Sequence, residues 1–365
     1  MRVLLFGTYD AAMHPRVATL GEGLRARGIE VAECNAPLGL DTAARVDTLA
    51  RPSRVPAFVA TVLRRWWTLA RAARRLPKPD VVLVGYLGHF DVHLARLLFR
   101  RVPIVLDHLV GAGDTARDRR LAGGPRQAIL AVIDRAALRA ADIVVVDTEE
   151  HRAALPDPAR AVVIPVGAPR AWSHAPEPGA GPLRVVFYGL YTPLQGAPTI
   201  GAALALLAGD PVQVTMIGGG QDEAATREAA RPNPNVRWLD WVAADELPTV
   251  VAGHDVCLGI FGTSAKALRV VPNKVYQGAA AGCAVVTSDT PPQRRALGDA
   301  AVLVPPGDPA ALADTLRRLT DRVELDRLRK AAYALACESF SPEQVVRPLV
   351  ERLSVVAGAD DQVGQ

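Results

Sequence analysis

Three cations fall close together in one stretch of the chain: Lys266, Arg269 and Lys274, within GIFGTSAKALRVVPNKVYQGAAAGCAVVTSD at 259–289. Clustered lysine and arginine side chains suit a phosphate or another multiply charged anion. The neighbouring residues indicate how they are held. Apolar Val256 to Phe261 reads as a buried strand and Gly262 to Val271 as a loop. Pro272 and Asn273 then open a helix, proline fixing φ and asparagine supplying an N-cap. The helix is expected from Lys274 to about Ala281, Gly282 stops it, and Cys283 to Thr287 is the next strand. A helix N-terminus presents free N–H groups and the positive end of a dipole, which attract anions and disfavour a cation. Lys274 in the first turn, at what reads as an exposed helix start, therefore points to a shared anionic ligand such as a diphosphate. A solvated surface lysine is the alternative.

Glycine turns recur at other strand ends. Gly7 closes the apolar run Val3 to Phe6, and GTYDAAMHPR follows, placing Tyr9, His14 and Arg16 ahead of or within an amphipathic helix from about Pro15 to Arg27. Gly7 permits close backbone approach to a ligand. Gly7, Tyr9, His14 and Arg16 are thus candidate contacts, while simple surface placement explains His14 or Arg16 taken singly. The G-x-G-x-x-G fingerprint is absent, so this turn is not good evidence for NAD. The run Pro103 to Leu106 ends in DHLVGAGDTARDRR. Ligands of parallel α/β sheets bind at such C-terminal strand ends, so Asp107, His108, Asp114 and Asp118 are candidates; loop and capping chemistry is the plainer reading. Two more glycine turns, at Gly189 and at Gly218, Gly219 and Gly220, close predicted strands.

The elements that must position these residues alternate along the whole chain. Short apolar runs are followed by amphipathic stretches, which predicts α/β architecture with doubly wound parallel sheets. The 365 residues, half of them hydrophobic, suffice for two cores. PRAWSHAPEPGAGP, at 169–182, reads as a linker between residues 1–168 and 183–340. A helix over 341–356 is expected to return to the first domain, and 357–365 reads as a disordered tail. Two such domains would face one another across an interdomain cleft, a favoured ligand site.

Charge is uneven. Residues 1–170 carry 25 Lys/Arg against 17 Asp/Glu, in a chain of net charge +4. A basic first half hints at a negative surface or substrate. The stretch Arg51 to Pro79 has no acidic residue and carries Arg51, Arg54, Arg64, Arg65, Arg71, Arg74, Arg75 and Lys78 around Trp66 and Trp67. A basic helix with tryptophans suits an anionic membrane interface, or a helix packed on a sheet with its arginines solvated. No run approaches the ~20 apolar residues of a membrane span, and the chain opens on a strand without a long apolar leader. Cys34, Cys257, Cys283 and Cys337 are scattered and read as reduced thiols. The expected location is the cytoplasm, with peripheral contact on the inner face of the membrane; no nucleic-acid partner is expected.

Four segments carry a family resemblance: FYGLYTPLQGAPTIGAALALL, MIGGGQ, DVCLGIF with the loop after it, and VPNKVYQGAAAGCAVVTSDTP. Together they resemble the retaining glycosyltransferases of the GT-B fold, family 4 (glycosyl transferases group 1), most strongly from Phe187 to Pro306. The patterns around FYGxYxPLxG and PNKVYQ are similar to a subgroup linked to polysaccharide, glycolipid or secondary-metabolite biosynthesis. The resemblance implies two Rossmann-like domains, the first for an acceptor and the second for a nucleotide-diphosphate sugar. It implies a donor-binding set of Gly189, Gln195, Gly218, Gly219, Trp241, Lys266, Asn273, Lys274 and Gln277. Gly7, Tyr9, His14, Arg16 and Asp114 would lie on the acceptor side, with Lys274, Arg269, His108 and Asp107 as catalytic candidates.

The family's paired glutamates fall here on Arg269 and Gln277, and its diphosphate-binding Arg and Lys on Leu190 and Gln195. Lys266, Arg269 and Lys274 would restore the missing charge. The resemblance further implies a front-face, metal-independent hexosyl transfer with the nucleotide sugar as co-substrate and no resident cofactor. The acceptor would be a sugar, a lipid-linked sugar or a small molecule. A nucleotide-sugar epimerase and a non-catalytic binding or scaffold protein of the same fold are the alternatives.

Overall fold

The apolar runs expected as strands form two six-stranded sheets in which every pairing is parallel. The computed structural model describes residues 1–10, 15–39, 55–109, 111, 125–179 and 181–363. His14, Asp114 and Asp118, named above as candidates, lie outside the described residues, as do Arg51 and Arg54.

The first sheet contains β1 (Arg2–Gly7), β2 (Glu30–Asn35), β3 (Val81–Val84), β4 (Ile104–Asp107), β5 (Ile143–Val146) and β6 (Ala161–Val163), in the order β2-β1-β3-β4-β5-β6. Its helices are α1 (Arg16–Ala26), α2 (Val55–Ala73), α3 (Asp91–Leu98), α4 (Pro125–Ala140) and α5 (Glu149–Ala153). Residues alternate between faces along each strand. Leu4, Phe6, Val82 and Val84 meet Leu69, Val92, Leu94 and Leu138 of α2, α3 and α4 on one face. Val3, Leu5 and Leu83 meet Leu20 and Leu24 of α1 on the other.

The second sheet contains β7 (Leu183–Tyr188), β8 (Val212–Ile217), β9 (Val236–Leu239), β10 (Val256–Leu258), β11 (Ala284–Ser288) and β12 (Ala301–Val304). Its order is β12-β11-β10-β7-β8-β9, so the chain winds outward from β7 to β9 and then restarts beside β7 at β10. The helices are α6 (Ala197–Leu206), α7 (Glu223–Ala230), α8 (Leu247–Ala252), α9 (Asn273–Ala280), α10 (Pro291–Leu297), α11 (Pro309–Arg318) and α12 (Arg322–Leu335). Val185, Phe187, Leu258 and Val286 pack with Ile200, Leu204, Leu312 and Leu316. Each such fully buried aliphatic side chain stabilises the unit by about 1.5–3 kcal/mol.

Residues Met1–Pro165 with Pro342–Gln365 form one compact unit, and Val166–Ser341 form the other. The stretch 169–182, read as a linker, packs within the second unit. Trp172 is buried and stacks on Tyr188 with ring centres 5.7 Å apart, and Arg329 Nη1 donates to the Glu177 carbonyl at 2.6 Å. The last helices, α13 (Pro342–Val345) and α14 (Arg347–Val363), bring Val345, Val346, Leu349 and Leu353 into the core of the first unit. The tail, expected to be disordered from 357, is helical to Val363. Cys34, Cys257 and Cys283 are buried, Cys337 is exposed, and all four are free thiols.

Candidate functional site

In an open doubly wound sheet, ligands bind beyond the C-terminal strand ends where the strand order reverses. In the second sheet that place lies between β7 and β10. β7 ends in Tyr188, and the loop after it runs from Gly189 to Gly196. The loop after β8 approaches it backbone to backbone. Gly218 has φ +104°, and a Cβ there would stand 2.2 Å from the Gly189 carbonyl oxygen. On the other side Phe261 N donates to the Gln195 carbonyl at 2.9 Å, tying the β7 loop to the chain leaving β10.

Into this corner comes Lys274. It was expected at an exposed helix start, yet it is 4% exposed. The reason lies upstream: Pro272 is extended, with ψ 154°, and is itself the N-cap. Asn273 is therefore the first helical residue rather than the cap, and Lys274 follows it beneath the β7 loop. Its Nζ donates to Gln195 Oε1 at 2.5 Å. It stands 3.8 Å from the centre of the Phe187 ring and 5.8 Å from that of Tyr188. A Cβ on Gly189 would lie 3.4 Å from the same nitrogen. No ion pair joins Lys274 to a carboxylate among the described residues. Ring faces and an amide oxygen offset part of the desolvation of an ammonium. Burial nevertheless lowers the Lys274 pKa to about 7. The arrangement is a buried amine whose charged form is disfavoured by burial and which has no carboxylate ion pair among the described residues, at the switch point where sheets of this kind bind ligands.

Gln277, one turn further along α9, is also buried, and its Oε1 accepts from the Tyr188 hydroxyl at 2.9 Å. Burial raises the Tyr188 pKa well above its ordinary value, so the hydroxyl stays a donor. Asn273 is half-buried at the helix start. Lys266 precedes and Arg269 ends the one-turn helix Ala267–Arg269, and Arg269 Nε donates to the Ala265 carbonyl of its own loop at 3.0 Å. Gly219 lies in the turn after β8 and accepts from Tyr191 N through its carbonyl. Trp241, after β9, is 69% exposed, and Leu190, after β7, is 52% exposed. The structure thus brings Lys274, Gln195 and Gly189 together and pairs Gln277 with Tyr188. Phe187, Tyr188 and Trp172 were missed by the sequence reading. The aromatic pair ahead of Gly189 was the available signal for the first two.

The candidates in the first unit are differently placed. The turn after β1 is occupied by a carboxylate of the chain itself. Thr8 N and Thr8 Oγ1 donate to Asp91 Oδ2 at 2.7 and 2.8 Å, and Trp66 Nε1 donates to Asp91 Oδ1 at 2.9 Å. Gly7 has φ +144°, and a Cβ there would stand 3.0 Å from Asp91 Oδ2. Tyr9 is buried with its hydroxyl donating to Glu33 Oε1 at 2.7 Å. Arg16 is not a surface residue: it is fully buried. Its Nε bonds Asp107 Oδ1 at 3.2 Å, and its other nitrogens bond the carbonyls of Pro165 and Ile164 at 2.6 and 3.0 Å. Asp107, buried in that pair, anchors Arg16 to the end of β4. His108 follows it with its ring centre 5.2 Å from that of His89. Burial and the nearby His89 lower the His108 pKa to about 3, so the ring is neutral at ordinary pH.

The model of the family described as Glycosyl transferases group 1 matches residues 182–322, the greater part of the second unit. No curated protein sequence matches the chain. Among solved structures, a sucrose-phosphate synthase from Thermosynechococcus elongatus matches with a TM-score of 0.71 at 18% identity, covering 98% of this chain and 99% of that one. Anabaena HepE in complex with UDP-glucose matches with a TM-score of 0.67 at 15% identity, covering 97% and 99%. A trehalose-6-phosphate structure from E. coli, bound with UDP-2-fluoro glucose, matches with a TM-score of 0.67 at 15% identity, covering 97% and 99%. At these identities the likeness is one of fold: two Rossmann-like doubly wound parallel sheets, the GT-B architecture expected from the sequence.

Proposed function

We propose that the second unit binds a nucleotide-diphosphate sugar and that the protein is a glycosyltransferase, transferring a hexosyl group with retention of configuration. The observation that carries this reading is Lys274, a buried amine at the β7–β10 switch point facing rings and an amide but no carboxylate among the described residues. A diphosphate supplies the missing anion. The match of this unit to group 1 glycosyl transferases supports a sugar nucleotide in particular, and the UDP-containing structural neighbours make UDP the first nucleotide to test.

In the transfer, the bond from the anomeric carbon to the diphosphate oxygen breaks and a bond to the acceptor oxygen forms on the same face. The acceptor proton passes to the departing diphosphate. Lys274 stabilises the charge that grows on that leaving group, an interaction stronger in the transition state than in the ground state. Arg269 and Lys266 are the proposed flanking cations, and Trp241 and Gln277 the proposed contacts to the nucleoside. No divalent metal is required, which activity in the presence of a chelator tests. The acceptor, a sugar, lipid-linked sugar or small molecule of polysaccharide, glycolipid or secondary-metabolite synthesis, is assigned to the first unit, with the protein peripheral on the cytoplasmic side of a membrane.

A thermal-shift panel of UDP, GDP, dTDP, ADP, the corresponding monophosphates and NAD tests the reading. A ligand at 100 times its Kd stabilises the folded protein by about 2.7 kcal/mol. One diphosphate should raise Tm, its monophosphate should raise it less, and anomeric analysis of the product then reports retention. Silence across the panel, or a response to NAD alone, would sink the proposal.

A further inference from the structure

Single exposed apolar side chains are ordinary on a protein surface; those of helix α2 are arranged. Val59, Leu63 and Trp67 are exposed by 46, 56 and 63%. They recur every four residues, so they form one stripe along the helix. Other positions of the helix are committed to the core: Phe58 and Leu69 are buried, and the half-buried Trp66 beside the stripe donates through Nε1 to Asp91. The outer stripe is therefore additional to the apolar face that packs on the sheet. Exposed Arg64, Arg71, Arg74 and Arg75 border and extend it, and the Arg71 guanidinium lies 4.7 Å from the centre of the Trp67 ring.

Helices α3 and α4 belong to the same layer, packed on the same face of the first sheet. They expose Leu97, Ile129 and Val132 by 60, 60 and 58%. The opposite layer, formed by α1, α13 and α14, exposes Val355 alone among the large hydrophobic side chains of its described residues. The exposed apolar side chains of this unit are thus concentrated on the layer that also carries the run of arginines without an intervening acid between 55 and 79.

We propose that this layer, led by Leu63 and Trp67 of α2, docks on an anionic lipid bilayer. The charge is complementary to acidic headgroups. A helix that exposes a tryptophan and aliphatic side chains between arginines suits shallow insertion at the headgroup boundary. Among the described residues no helix is long and apolar enough to cross a membrane, so the contact is one of lying on the surface. It is independent of what the second unit binds. It also separates two adjacent tryptophans: Trp67 enters the interface and Trp66 does not.

Cosedimentation of the full chain with vesicles of phosphatidylserine and phosphatidylcholine, at about 0.15 M salt, tests the proposal against vesicles of phosphatidylcholine alone. Binding to the anionic vesicles is expected. Each arginine removed from such a surface lowers affinity about five-fold. The quadruple change of Arg64, Arg71, Arg74 and Arg75 to Gln should therefore reduce binding about 10²–10³-fold. The double variant Leu63→Ser, Trp67→Ser should lose binding with its melting curve preserved, because both side chains are exposed. On vesicle addition, tryptophan emission should shift to the blue in Trp66→Phe and not in Trp67→Phe. Absence of wild-type binding to the anionic vesicles overturns the proposal, as does unchanged binding by the double variant. A change in oligomeric state in that variant would assign the stripe to a second copy of the chain instead.

Discussion

The two sheets treat the same corner in opposite ways. In each, the strand that starts the winding ends in or just before a glycine of positive φ, +144° at Gly7 and +130° at Gly189. In each, the helix that follows the neighbouring switch strand sends a charged side chain from its first turn back to that glycine. After β3 the side chain is Asp91, the first residue of α3; after β10 it is Lys274, the second residue of α9. The carboxylate suits both its helix N-terminus and the turn it fills, and three donors satisfy it. The ammonium opposes its helix dipole, is desolvated, and meets only an amide oxygen and ring faces among the interactions described above. One corner is complete as it folds, and the proposed function assigns the other an anion from outside. A Rossmann-like turn is therefore not a binding site by shape alone: at Gly7 the chain's own carboxylate already takes the donors of the turn.

The largest expected effect falls on the Lys274 corner. Lys274→Ala should lower turnover by about 10²–10³, the order of loss when one oxyanion-stabilising donor is removed from an active site, and should blunt the nucleotide thermal shift. A near wild-type rate would take Lys274 out of the mechanism and break the contrast. The filled corner should respond in stability instead. Asp91→Ala leaves the Thr8 N–H, the Thr8 hydroxyl and the Trp66 N–H without their acceptor, at a cost of about 2–5 kcal/mol. If that corner is an anion site occupied by its own carboxylate, inorganic phosphate or sulfate should restore part of the lost Tm in this variant and leave the wild type unmoved. A variant as stable as wild type would show that Asp91 merely lies against the turn.

Much of this architecture was legible in residue order. Short β-branched runs separated by helical patterns identified strands in both sheets, because a strand buried on both faces reads as continuous apolar sequence. The stretch VPNKVYQGAAAG announced a helix start and stop, and the glycine turns fell at strand ends. The sequence misled where polar side chains find partners far along the chain. Lys274 read as exposed because its own helix does not show the β7 loop, whose Gln195 lies 79 residues away. Arg16 read as a surface residue, although Asp107 and the carbonyls of Ile164 and Pro165 close around it from separations of 91 to 149 residues. Trp66 and Trp67 read alike because only Asp91, 25 residues on, distinguishes the inward ring from the outward one. Periodicity reports which face is apolar; it does not report which polar groups meet across loops.

The smallest effect gives the sharpest test of the contrast, because it requires no substrate. Lys274 has a pKa of about 7 in the folded protein against an ordinary 10.5. Between those values the unfolded chain holds one proton more than the folded one. Stability should therefore rise with pH across this window, and the penalty should be fully present below pH 7. Lys274→Met keeps the length of the side chain and removes its charge. Replacing a poorly compensated buried charge by an apolar group of similar volume typically stabilises a protein, here by about 1–3 kcal/mol near neutral pH. The variant should melt higher than wild type at pH 7, and the gain should shrink toward pH 10 as the wild-type amine no longer has to lose a proton on folding. It should also lose the response to a nucleoside diphosphate, so stability and binding move in opposite directions. Asp91→Leu, the corresponding apolar replacement in the first unit, should do the reverse and melt lower. If Lys274→Met instead melts lower at pH 7, or its gain is the same at pH 7 and pH 10, then Lys274 is compensated as fully as Asp91 and the second corner needs no anion.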